Sequence, residues 1–169
     1  MPIAQVRNAS MQQLNSADLL SVKDRNFGAE WVDGAGGATF TAATTVPLAT
    51  ERINPAPELF VMNSNILTIT EAGLFLFHFA VTASHSGSGE LVFQITLEED
   101  PDTGSFAEIP GTIAYATFFN GFGTAVNSAL VRTQADYRYR LRVASLSGGT
   151  NSLVQNGSKL SVVRLYGLG

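Results

Sequence analysis

Gly73-Leu74-Phe75-Leu76-Phe77-His78-Phe79-Ala80-Val81-Thr82-Ala83-Ser84 is the stretch that decides the fold. In an extended chain successive side chains point to opposite faces. Phe75, Phe77, Phe79 and Val81 therefore share one face, and Leu74, Leu76 and His78 share the other. Four large apolar groups at alternate positions mark a strand that closes a core. Leu74 and Leu76 are apolar as well, although one face of a simple two-sheet sandwich looks onto water. A second sheet or another subunit is expected to cover those two leucines, with a local loop as the other candidate.

Outward from this strand the chain reads as short apolar runs between turn residues. Upstream lie candidates at Phe27 to Val32, Ala38 to Ala42, Leu59 to Met62 and Ile66 to Thr70. Val46-Pro47-Leu48 suggests an edge strand, because proline cannot donate to a central ladder. Asn54-Pro55-Ala56-Pro57 is a break. Downstream, Glu90 to Glu99 sets Leu91, Phe93, Ile95 and Leu97 against Val92, Gln94, Thr96 and Glu98. Asp100-Pro101-Asp102-Thr103-Gly104 is a turn by composition. Ile113 to Phe119 and Ala125 to Arg132 flank Asn120-Gly121, a hairpin signal. Tyr137, Tyr139, Leu141 and Val143 share a face opposite Arg138, Arg140 and Arg142. Asn151 to Val154 and Ser158 to Leu165 complete the set. No stretch carries a sustained helical period, so short strands with turns between them predict an all-β, single jelly-roll β-sandwich.

Residues 1–25 stand apart. They are rich in Gln, Asn and Ser, with Leu19 and Leu20 among few large apolar groups. Extended, they reach on the order of 80 Å. We read them as an N-terminal extended arm, and residues 26–169 as the jelly-roll domain; a tail without fixed structure is the ordinary alternative at a chain end.

Composition restricts what the chain does. Of its 169 residues 45% are apolar and only 14% charged, against about 25% charged in a typical globular domain. A subunit that hides much of its surface can dispense with charge, although Ser, Thr, Asn and Gln can also solvate a monomer. A net charge of −4 argues against nucleic-acid binding. No apolar run is long enough to span a bilayer, and no signal peptide is visible. Cysteine is absent, so disulfides and thiolate chemistry are excluded. Charge is also segregated. Glu90, Glu98, Glu99, Asp100, Asp102 and Glu108 form an acidic stretch, whereas Arg132, Arg138, Arg140, Arg142, Lys159 and Arg164 dominate the C-terminal part. Such patches can steer copies together, or pair within one subunit.

Catalytic constellations are missing. His78 and His85 fall on opposite faces of one continuous strand, which excludes simple two-histidine metal spacing. Glu98-Glu99-Asp100-Pro101-Asp102 lacks a spaced calcium loop, and an acidic turn is the better reading. Gly34-Ala35-Gly36-Gly37 precedes no helix, so it is no phosphate cradle. We expect no enzyme, metal or cofactor.

Several passages resemble the tumour necrosis factor-like and complement-type globular superfamily. Ile69-Thr70-Glu71-Ala72-Gly73-Leu74-Phe75-Leu76-Phe77 is similar to the lead-in to its long central strand. Ser128 to Tyr139 is similar to its paired strands joined by a short turn, with Ala135-Asp136 where the family usually has Gly-Asp. Ser158 to Leu165 resembles its closing strand, and Ala38 to Leu48 its early strands. The likeness covers roughly residues 27 to 169 and implies a ten-stranded jelly roll that forms trimers.

Within that superfamily the chain looks most like phage capsid decoration (cement) proteins. That implies a non-enzymatic structural protein of the bacteriophage virion, a homotrimer on the capsid surface. Its partners would be the major capsid protein or neighbouring decoration trimers. The expected trimer interface is Leu74, Leu76, Phe118, Phe119, Phe122, Tyr137 and Tyr139. The expected partner-binding residues are Arg138, Arg140, Arg142, Leu19 and Leu20. The alternative is a receptor- or carbohydrate-binding head of a tail fibre, with Phe122 or Trp31 stacking on a sugar. Residues 1–25 show neither heptads nor Gly-x-y, so no fibre stalk is visible.

Overall fold

Alternating apolar side chains and frequent turn residues fold the described residues as strands joined by turns. The computed structural model describes residues 28–34, 39–40, 42–86, 89–147, 151–153 and 157–167. The expected arm, with Leu19 and Leu20, lies outside the described residues. The strands are β1 (Gly28–Val32), β2 (Thr39–Phe40), β3 (Thr50–Ile53), β4 (Phe60–Asn63), β5 (Ile66–Ile69), β6 (Gly73–His85) and β7 (Leu91–Asp100). They continue as β8 (Ala107–Glu108), β9 (Ala114–Phe118), β10 (Gly121–Thr133), β11 (Tyr137–Ser147), β12 (Asn151–Leu153) and β13 (Lys159–Gly167). Among the described residues no helix is long and apolar enough to cross a membrane.

Two antiparallel sheets face each other. The first runs β10–β6–β13–β1–β3, with β12 pairing the end of β6 and β2 pairing β12. The second runs β4–β5–β11–β7–β8, with β9 also on β7. This is the jelly-roll β-sandwich that the apolar pattern predicts. Phe75, Phe77, Phe79, Val81 and Ala83 point inward from β6 and are fully buried. They meet Leu67, Ile69, Leu91, Phe93, Ile95, Leu97, Leu141 and Val143 of the second sheet in one continuous core.

The Asn120-Gly121 turn departs from a plain hairpin. Gly121 takes φ +99°, a conformation that glycine adopts without strain. The strands on either side join different sheets, β9 on β7 and β10 on β6. The turn is a corner between the layers. Gly123 makes the corner possible, because a Cβ there would sit 2.1 Å from the Phe118 ring. Phe118 thus lies over bare backbone and meets Phe93 edge-on, with ring centroids 6.2 Å apart. Val46-Pro47-Leu48 follows a segment that pairs on one side with β11: Thr45 bridges Arg142, Val46 donates its N–H to the Leu141 carbonyl at 2.8 Å, and Val46 and Leu48 are fully buried.

Candidate assembly surface

The outward face of the first sheet is where the fold leaves apolar side chains in water. Cross-strand register places Leu130 of β10, Leu76 of β6 and Val163 of β13 in one row. The next row along holds Ser128, His78 and Ser161, and the row after it Val126, Ala80 and Lys159. Leu130 is 64% exposed and Val126 50%, while Val163 and Leu165 remain open to solvent. Leu74 and Leu76 are half-buried by their neighbours on the same face. Gly28 lies beside Val163, and its missing side chain helps open a groove of about 290 Å³ between β1, β3 and β13. Ile53 flanks that groove and is itself exposed.

Polar groups cross the same face in a stripe. His78 Nδ1 is 2.8 Å from Ser128 Oγ. Ser161 Oγ donates to Glu30 at 2.7 Å, and Arg52 pairs with the other Glu30 oxygen at 2.9 Å. Arg132 and Lys159 have no ion-pair partner among the described residues. The face is thus apolar with a cationic excess. Glu108 on the edge strand β8 is exposed, and so is Glu90 just before β7.

The expected interface residues divide. Phe119 and Phe122 stand out from the corner between the sheets, with Phe122 70% exposed. Phe118 packs on the subunit's own core, and so does Tyr137. Tyr139 corrects the expectation outright, since it is completely enclosed within one subunit. Its ring lies 4.9 Å from that of Phe77, and its hydroxyl donates to Thr133 Oγ1. Burial pushes the Tyr139 hydroxyl well above its ordinary range despite that hydrogen bond. No neighbouring chain can touch it. Trp31, the other candidate sugar platform, is 1% exposed and belongs to the core as well.

The arginine ladder is engaged inside the subunit. Arg140 Nε and Arg142 Nη1 each lie 2.6 Å from a different oxygen of the buried Glu98 carboxylate. Arg138 pairs with the buried Asp100. The Phe106 ring covers the ladder, with the Arg140 guanidinium 4.1 Å from its centroid. Burial works to raise the Asp100 carboxyl, but the Thr103 N–H and hydroxyl and the Arg138 guanidinium outweigh it and hold it below the usual carboxylate range. Of the two pairings weighed for these charges, the structure places Arg138, Arg140 and Arg142 on acids of their own chain. Each guanidinium thus carries an ion pair within the subunit while its side chain stays about a quarter to a third exposed.

His78 and His85 lie on opposite faces of β6, His85 being buried on the inner one. Among the described residues no group of His, Cys, Asp or Glu is arranged to hold a metal ion.

The chain matches no family model and no curated protein. Solved structures are similar to it. Eiger, a TNF from S. frugiperda, superposes with a TM-score of 0.64 at 13% identity, over 86% of this chain and 96% of that one. Murine APRIL, crystallised at pH 5.0, superposes with a TM-score of 0.55 at 10% identity, over 83% of this chain and 99% of that one. At such identities the likeness shows the fold, a tumour necrosis factor-like jelly roll.

Proposed function

We propose that the chain is a non-enzymatic structural subunit that closes into a homotrimer through the outward face of its first sheet. One observation carries this reading: Leu130, half-buried Leu76 and Val163 stand side by side on that face, with Val126 and Leu165 nearby, and among the described residues Leu130, Val126, Val163 and Leu165 stay exposed. Exposed apolar groups gathered on one face mark interaction surfaces. A second copy of the chain fits by charge, because the face carries Arg132 and Lys159, which have no ion-pair partner among the described residues, while Glu90 and Glu108 lie exposed elsewhere on the molecule. Cations on one face and acids elsewhere on the same chain suit a head-to-tail ring. The trimer implied by the tumour necrosis factor-like resemblance is such a ring. Leu74, Leu76, Phe119 and Phe122 remain the interface residues of this proposal, joined by Val126, Leu130 and Val163.

The finer reading is a decoration subunit on a phage shell, gripping the major capsid protein or a neighbouring trimer through residues 1–25. The sequence resemblance and the low charge content support it. Co-sedimentation with empty shells tests it. The full chain should bind and a chain lacking residues 1–25 should not; equal binding by both removes the arm from the account.

Phe119 and Phe122, both exposed at the corner, support the second reading, a head that binds carbohydrate by stacking. A glycan array distinguishes the two, since a decoration subunit gives no hits.

A further inference from the structure

We infer that His78 makes self-assembly dependent on pH, holding copies together above the range in which histidine titrates and releasing them below it. The inference rests on the assembly reading just given, because it needs a second copy to lie on this face. His78 stands on the outward face of β6 between Leu76 and Ala80, half-buried, with Ser128 of β10 and Ser161 of β13 directly across from it. Histidine is the side chain whose charge ordinarily changes between about pH 5 and 8. Here it sits among the leucines and valines that the neighbouring copy would cover.

Among the described residues, the groups beside His78 on β6, β10 and β13 offer a charged ring no free anion. On β6 its neighbours on that face, Leu74, Leu76, Ala80 and Thr82, carry no charge. From β10 comes Ser128, with Arg132 further along the strand. From β13 comes Ser161, with Lys159 at the adjacent outward position, while Arg164 is held by Glu71 at 2.7 Å. The carboxylate of Glu30 on β1 is taken up by Arg52 of β3 and by Ser161. A proton on His78 therefore finds the hydroxyls of Ser128 and Ser161 and, at the adjacent outward position of β13, Lys159, while the Glu30 carboxylate beyond Ser161 is already engaged. Beneath a second subunit the ring loses its water, and burial without a counter-charge disfavours the protonated form.

The direction of the linkage follows. The assembled state binds fewer protons at His78 than free subunits do, so acid favours dissociation. Each released subunit takes up as much as one proton, which weakens its hold by up to about tenfold per pH unit across the histidine range. His85 faces the opposite side of the same strand, inside the sandwich.

Sedimentation velocity of the full chain at about pH 8 and about pH 5.5 tests the inference. Wild type is compared with His78→Gln and His78→Asn, and near-ultraviolet circular dichroism follows the subunit fold. Wild type should dissociate on acidification with its fold intact, and both variants should keep the same ratio of assembled to free chain at the two pH values. Wild type equally assembled at both values overturns the switch and leaves self-assembly standing. Variants that dissociate as wild type does, or dissociation accompanied by unfolding, assign the effect to another group and overturn it too. A wild-type chain that is monomeric at about pH 8 overturns both the assembly and the switch.

Discussion

Leu130 on β10 stands directly across from Leu76 on β6, and the pair looks away from the core of its own subunit. Both strands already spend their inward faces on the sandwich, through Phe75, Phe77, Val131 and their neighbours. Half-covering one leucine and leaving the other 64% exposed is costly in water and harmless under a neighbour.

Replacing Leu130 with Asp should therefore leave the subunit folded and disperse the assembly. An exposed position of this kind changes subunit stability by about 0.5 kcal/mol or less. A carboxylate forced under a neighbour costs several kcal/mol. Circular dichroism should keep the wild-type strand signal while light scattering reports a smaller particle.

Glu98→Gln should destabilise the subunit by about 3 kcal/mol, read as a lower urea midpoint. One buried carboxylate holds both Arg140 and Arg142 at 2.6 Å, and removing its charge leaves two guanidinium groups unmatched. The figure sits at the low end for a buried pair, because the arginine side chains are 25% and 31% exposed and keep part of their water.

Acid should act through Asp100. Its folded-state pKa is lowered, so the unfolded chain binds a proton at higher pH than the folded one does. That stabilisation is complete above the ordinary carboxylate value of about 3.9 and is lost as pH falls through the lower folded value. Urea titrations should show wild type losing stability below about pH 4, and Asp100→Asn should show a shallower loss over the same interval.

Gly123→Ala should cost about 1–3 kcal/mol, the usual penalty for an added methyl in a filled space. The new Cβ would fall 2.1 Å from the Phe118 ring, which would have to leave its edge-on contact with Phe93. The thermal midpoint should drop, and a further Phe118→Ala change should add less than it does in wild type.

The long strands were legible because burial imposes period two on them. Phe75 to Val81, Leu91 to Leu97 and Tyr137 to Val143 alternate in sequence as they do in space. β3 was not legible, since all of Thr50–Ile53 is exposed and backbone pairing with β1 holds it. β8 is too short to show any period. Asn120-Gly121 announced a turn, but local chemistry cannot tell whether the two strands will share a sheet.

The candidate surface was half legible. Alternation separated Leu74 and Leu76 from the core face, yet the same rule places Tyr139 on a face without saying whether that face looks in or out. Val126, Leu130 and Val163 went unnoticed because their partner strands, and hence the row they form with Leu76, appear only with the register. The arginine ladder was visible, whereas its acids on β7 were one of several possible partners until β11 and β7 were seen to pair Arg140 with Glu98.

The mass of the full-length particle in dilute solution near neutral pH, by multi-angle light scattering, bears most directly on the central claim. A single copy leaves the Leu76, Leu130 and Val163 row wet, so the account predicts three times the 17.9 kDa chain mass. A stable species of one chain mass, with that row open to water, would contradict it.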